Sequence, residues 1–397
     1  MITLRRALLP ILVLACAVPA HAQTAPAGCV SIASYGGATT KADNSAALKS
    51  AIAASGAISP CVYVPPGTWN FAAAYSYTFP TAAGSFTLAG AGADVTNLTW
   101  TGSSAGLVFN YLGYNDSVHV RDLSLVSSTA GTATALSLML AAANPNPAYG
   151  ALSDVRSVTV RGGTSAPSTQ YWGTGINVAG VSNVNFTALN VLGPTGAAYS
   201  STGNGIVLGG TATTIGVDYN VSSSNLNYLG NGIVLGSYAQ GLTVTQTNFT
   251  GNSYGIQVPA GANSLDQLAI SNSQFNCQLE GLLVQSPLPN LQVHDNLFIV
   301  PNTGVGVQLN TAGLYTLSGN SFNIGSATAG AVYPIGMVLT ASTVPGVITA
   351  NIFDHMNVGI VLQSGTSNVN VQSNSYSNTS TAVSNAGTTN KVGGGSS

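Results

Sequence analysis

Few side chains in this 397-residue sequence can move a proton or hold an ion: ten acids, eight Lys or Arg and four His. The acids are nine scattered Asp and the single Glu280, with no Asp-Asp pair. Two carboxyls about 5–10 Å apart can cut a glycosidic bond. No two acids share a strand-length segment, so such a pair can arise only between neighbouring units of a repeat. His294-Asp295 and Asp354-His355 read as base–carboxylate dyads. They hold different positions of the repeat, two units apart, and are expected not to converge. Asp116, Arg121, Asp122, Asp154, Arg156 and Arg161 crowd into 46 residues and include every Arg after Arg6. Arg121 and Arg156 occupy the same position of consecutive units, which predicts neighbouring guanidiniums on the outer surface. Arg grips carboxylates bidentately, so the pair is a candidate binding site for an acidic sugar. The alternative is a surface ion-pair network, worth little. Asp154 in the same stretch is a candidate catalytic acid.

A second candidate constellation is aromatic. Segments 126–151, 161–174 and 192–204 are insertions at one apparent point of the repeat, and are expected to rise together as a wall. They carry Tyr149, Tyr171, Trp172 and Tyr199, and the same connection of later units holds Tyr228 and Tyr254. Sugars lay apolar ring faces on aromatics, so this column is a candidate substrate groove. It places Glu280 at one end, with Asp218 on a nearby strand as the next acid. The alternative is that these aromatics fold back and cover the apolar side of the rod. No His/Cys/Asp cluster has metal-ligand spacing, and neither a Gly-x-Ser-x-Gly elbow nor a phosphate loop occurs. No metal or cofactor is expected.

Composition excludes several classes. Charged residues make up 5% of the chain, too few for the basic footprint of a nucleic-acid binder. With 45% hydrophobic residues the chain is not of the disordered type. Residues 1–22 read as a signal peptide: Arg5-Arg6, the apolar run Ala7 to Val18, and Ala20-His21-Ala22 as the cleavage site. Lipidation at Cys16 is the alternative there. No later segment approaches a membrane span. The expected location is therefore secreted, periplasmic or at the cell surface. Cys29 and Cys61 each precede a β-rich run and are predicted to pair, the alternative being two buried free thiols. Cys277 has no mate and reads as a small core residue.

The elements that position these residues are repeats. From residue 215 an apolar–polar pattern recurs in Val221–Ser224–Leu226, Val244–Thr247–Phe249, Ile270–Ser273–Phe275, Val293–Asn296–Phe298, Leu317–Asn320–Phe322, Ile348–Asn351–Phe353 and Val371–Asn374–Tyr376. The central residues are 23, 26, 23, 24, 31 and 23 positions apart. Val120–Leu123–Leu125, Val155–Val158–Val160 and Phe186–Leu189–Val191 are looser versions. Most units restart with Gly plus an apolar residue. Each unit holds two or three short β-type runs, too few residues for a propeller blade, and fits one turn of a parallel β-helix. Like residues then stack, with an Asn ladder at a bend where Asn tolerates left-handed backbone, and Phe inside. About twelve turns at ~4.8 Å give a rod of roughly 58 Å. Residues 41–54 predict an amphipathic cap helix burying Ala47, Leu48, Ala51 and Ile52, with Asp43 or Asn44 as N-cap. The domain is expected to span 23–392, with its cap region at 28–70 and a disordered tail at 393–397.

Ser34-Tyr35-Gly36-Gly37-Ala38, Asp43-Asn44-Ser45-Ala46-Ala47-Leu48 and Val62-Tyr63-Val64-Pro65-Pro66-Gly67-Thr68-Trp69 resemble the N-terminal signature of the pectate-lyase-like right-handed β-helix superfamily. The likeness is closest to its rhamnogalacturonase-, epimerase- and tailspike-like branch. The resemblance implies an all-β, single-stranded, right-handed parallel β-helix of the pectin-lyase-like kind. It further implies a secreted protein that acts on or binds extracellular polysaccharide, as a lyase or hydrolase. The other reading is a non-catalytic glycan-binding or adhesin-like protein on the same scaffold. The matched residues are scaffold. The Asp-Asp and Gly-His-Gly pairs of polygalacturonase-type hydrolases and the Arg-x-Pro-x-x-Arg motif of pectate lyases are absent from this chain.

Overall fold

The computed structural model describes residues 25–393 except 82, 132, 142, 144–149, 164–167, 195–198, 302, 312 and 326–333. The expected signal peptide, Cys16, Tyr149 and the tail after Gly393 lie outside the described residues. The chain winds into a right-handed parallel β-solenoid of about eleven turns, one fewer than the repeat predicts. Each full turn contributes to three parallel faces. Val184–Thr187, Gly216–Ser222 and Ala239–Thr245 stack on sheet A. Asn190–Leu192, Asn225–Asn227 and the start of Asn248–Val258 stack on sheet B. Asn204–Gly209, Asn231–Leu235 and the end of Asn248–Val258 stack on sheet C. Alternation decides which side is buried: in sheet A, Tyr219 and Val221 point inward while Asp218 and Asn220 stay exposed.

The bend from sheet A to sheet B is a single left-handed residue. Asp122, Ser157, Ala188, Ser223, Gln246, Asn272, Asp295, Gly319, Ala350 and Ser373 fill it, with φ between 49° and 67°. The bend lies one residue earlier than the sequence pattern suggests. The Asn ladder follows it, turned inward, because its amides are needed to satisfy buried main chain. Asn320 Oδ1 accepts from the Asn296 main-chain N (3.1 Å) and Nδ2 (3.0 Å). Asn320 Nδ2 donates to Val293 O (2.9 Å) and to Asn351 Oδ1 (3.0 Å). Asn374 continues the ladder, accepting from Asn351 N and Nδ2. Beneath it Phe249, Phe275, Phe298, Phe322, Phe353 and Tyr376 form one column, with ring centroids 4.7–5.3 Å apart and planes within 5–11° of parallel. That spacing is the strand spacing itself.

The cap forms as the sequence requires. Helix Ser45–Ser55 buries Ala47, Leu48, Ala51 and Ile52 over the first turn. Asn44 holds the N-cap position without a side-chain capping bond, and Asp43 Oδ1 accepts from Ser45 N instead (3.0 Å). A disulfide joins Cys29 to Cys61 with their Cα atoms 4.5 Å apart, pinning the cap segment Val30–Ser31 beside the strand Cys61–Tyr63. Cys277 is buried, and burial pushes its thiol pKa up, so it is not a thiolate nucleophile.

Candidate functional site

The outward rows of sheet A are mostly Ser, Thr, Asn and Gln, and charge gathers at one place. On the adjacent strands Ser117–Ser127 and Ser153–Gly162, His119 lies opposite Asp154 and Arg121 opposite Arg156. The next turn sets Asn185 and Thr187 beside Asp154 and Arg156. His119 Nδ1 is hydrogen-bonded to Asp154 Oδ1, and each side chain is 27% exposed. The side chains of Arg121 and Arg156 make no hydrogen bond or ion pair with any described residue. Two unpaired like charges at a strand spacing of about 4.8 Å repel, and an anion between them would relieve that. These four side chains line a groove of about 500 Å³ with Thr87, Leu152, Asn185 and Thr187.

The rest of the charge-dense stretch is spent on structure. Arg161 donates from Nε to Asp94 (2.9 Å) and from a terminal nitrogen to Asn97 (3.0 Å). Asp116 is buried, where its carboxylate accepts main-chain N–H bonds from Gly84 (2.7 Å), Leu112 (2.7 Å) and Gly113 (2.9 Å). The ion-pair reading therefore describes Arg161 and not Arg121 or Arg156. A second hollow of about 350 Å³ runs on from the first, sharing Leu152 and Asn185, and is lined by Asn183, Asp218, Asn220 and Thr243 among others. Asp218 is exposed, with a left-handed φ of 62°. It stands two turns beyond Asp154, roughly 10 Å along the axis, and two positions away along the strand. The two acids do not form a close carboxylate pair.

Among the described residues the aromatic column does not make a wall. Segment 126–151 contains the sheet C strand Thr134–Leu140 and so spans two different corners, whereas 161–174 and 192–204 run from sheet B to sheet C. Trp172 is a core residue, 3% exposed. Its indole N–H donates to Leu125 O (3.1 Å), and its ring meets Trp100 edge-on at 5.7 Å. It is packing and not a sugar platform. Tyr199 is half-buried, with its hydroxyl donating to Asn276 Oδ1 (3.1 Å). Tyr171, Tyr228 and Tyr254 are likewise partly buried along this corner. Residue type does not reveal whether a corner side chain turns in or out; packing decides it.

Glu280 lies in register with Tyr254 on sheet C, on a different face from Asp154 and Asp218. Its Oε2 is buried without a hydrogen-bond partner, and burial raises its pKa above the ordinary 4.5. A raised carboxyl pKa stabilises the fold below the unfolded value, and that stability is lost as pH rises through the folded value. Glu280→Gln is therefore expected to raise the melting temperature at neutral pH. The gain should vanish below pH 4.5, which a series of melts across that range checks. The dyads stay apart: His294 bonds its neighbour Asp295 (3.0 Å) and His355 bonds Asp354 (2.9 Å), each at its own corner.

The His119–Asp154 pair is the candidate constellation that sequence reasoning missed. The signal was present, since His119 precedes Val120 and Asp154 precedes Val155 by the same offset in consecutive units. The dyads contiguous in sequence drew attention away from a dyad contiguous only across turns.

Comparison with known proteins identifies the scaffold. The family model described as Periplasmic copper-binding protein (NosD) matches residues 168–392, more than half of the chain. No curated protein matches in sequence. Among solved structures, the Dettilon tailspike protein gp208 is similar with a TM-score of 0.61 at 14% identity, over 88% of this chain and 68% of that one. Tailspike protein 2 of Escherichia coli O157:H7 bacteriophage CAB120 gives 0.59 at 12% identity, over 86% of this chain and 46% of that one. The N-terminal fragment of bacteriophage Phi29 gene product 12 gives 0.57 at 14% identity, over 89% and 67%. These likenesses establish the fold. The family's name raises copper, whose soft ligands are Cys, Met and His. Among the described residues no three His, Cys, Asp or Glu gather into a metal-binding group. Cys277, Met337 and Met356 are core residues. The described residues do not fit a copper ion.

Proposed function

The chain belongs to the NosD family of β-helix proteins, and on that scaffold we propose an exported protein that binds an acidic polysaccharide in the sheet A groove and cleaves it by β-elimination. The observation that carries this reading is the pair of unpartnered arginines, Arg121 and Arg156, beside a carboxylate-held histidine. A uronate carboxylate between the guanidiniums loses most of its negative charge, which acidifies the C–H bond next to it. With its Nδ1–H donated to Asp154, His119 presents Nε2 as the base. Nε2 takes the proton from that carbon, the C–H electrons form the new double bond, and the glycosidic C–O bond across it breaks. The imidazolium returns the proton to the departing oxygen. This chemistry needs no second carboxylate near Asp154, which suits the separation of the acids.

The signal-like residues 1–22 and the family's periplasmic description support export. Among the described residues no helix is long and apolar enough to cross a membrane. A glycan-binding protein without catalysis is the second reading, favoured by the uncharged Asn and Thr side chains that line the adjoining hollow. Arg121→Ala with Arg156→Ala is expected to weaken uronan binding about 100-fold with little change in melting temperature, as measured by titration calorimetry. His119→Gln is expected to keep binding and to lower the rate of unsaturated-product formation by about 10²-fold or more. Unchanged binding in the double variant would overturn the reading. Binding without product from the wild type would leave the binding-only protein.

A further inference from the structure

Resting on that reading, we infer that the groove selects an acidic heteropolysaccharide, in which uronates are spaced by neutral sugars, over a polymer of consecutive uronates. The two hollows form one path, since Leu152 and Asn185 line both. Its charge changes sign along its length. The first hollow presents Arg121 and Arg156 against one carboxylate, Asp154, which is held by His119, so positive charge prevails there. The second presents Asp218, whose side chain makes no hydrogen bond or ion pair with any described residue. A carboxylate seated between the arginines is attracted, and one lying against Asp218 is repelled.

The remaining lining of the second hollow suits an uncharged sugar. Asn185, Asn220 and Thr243 point from the outward rows of sheet A, and their side chains bond to no described residue. They are free to exchange hydrogen bonds with hydroxyls. Leu152, 52% exposed at the junction of the hollows, offers an apolar surface for a ring face. The backbone keeps Asp218 where it is. Asn183, Asp218 and Gly241 occupy one column and all have left-handed φ, of 54°, 62° and 74°. Asn183 shows that this column accepts an amide in the same conformation, so Asp218→Asn removes the charge without asking the chain for a new shape.

The experiment measures binding of polygalacturonate and alginate, as consecutive uronates, against gellan and xanthan, whose uronates are spaced by neutral sugars. All titrations are run at low ionic strength. Wild type is expected to favour the spaced polymers at least about fivefold. Asp218→Asn should raise affinity for the consecutive uronates about two- to fivefold, the scale of an exposed charge contact, and leave the spaced polymers unchanged. Added salt should shrink that difference. Equal wild-type affinity for both classes, or an Asp218→Asn variant that treats them as wild type does, would overturn the inference while leaving the arginine site standing. Failure of every acidic polymer to bind would instead remove the proposed function, and this inference with it.

Discussion

Asn320→Ala is expected to lower the stability of the solenoid by about 4 kcal/mol, because it orphans several buried groups at once. Asn320 is fully buried, 0% exposed. Its removal leaves the Asn296 main-chain N without its acceptor and Val293 O without a donor it now has, and it takes one partner from Asn351 Oδ1. Asn320→Ser should lose about half as much, because a hydroxyl can still accept the N–H of the turn before. The protein itself uses that solution where Ser273 Oγ accepts from Thr247 N at 3.1 Å. Chemical denaturation of the two variants beside wild type checks the order. Equal losses for Ala and Ser would mean that the ladder contributes volume and not hydrogen bonds.

Phe322→Ala is expected to lose a further class of energy, about 4 kcal/mol of burial and packing. Its ring sits between Phe298 at 4.8 Å and Phe353 at 4.9 Å. The column also explains the Gly that restarts each unit. A Cβ on Gly306 would lie 2.5 Å from Phe322 Cδ1, and one on Gly255 equally close to Phe275 Cδ1. Gly306→Ala is accordingly expected to cost about 2 kcal/mol through overpacking. The two changes should not add. Once the ring is gone much of the methyl clash goes with it, although Gly336 O remains 2.7 Å away. A double-mutant cycle should show the pair losing about 1 kcal/mol less than the sum. Strict additivity would show that ring and glycine do not oppose each other.

These columns were legible because a solenoid converts sequence spacing directly into contact. Asn296, Asn320, Asn351 and Asn374 recur at one offset, so they must meet. The residue just before each of them takes the left-handed bend, and it varies among Asp295, Gly319, Ala350 and Ser373. No residue type marked it. The site was half legible on the same principle: Arg121 and Arg156 meet because their offsets agree, and His119 meets Asp154 for the same reason. The aromatic corner was not legible. Trp172 could turn outward or inward at no cost to the repeat, and the space beside Trp100 decided it. The groove floor was also hidden, because Asn185 and Asn220 look like any solvated strand residues until Leu152 is placed over them.

The ring column has a consequence for how such a protein can change over generations. Phe275, Phe298 and Phe322 each meet a phenylalanine above and below, so copying or deleting one whole turn in that stretch leaves each junction chemically what it was. The groove residues His119 to Asp218 all precede it in the chain. Tandem duplication can therefore lengthen or shorten the C-terminal part of the molecule without rewriting the proposed glycan groove. Point changes inside the column are punished by their neighbours, which makes whole-turn gain and loss the easier route of divergence.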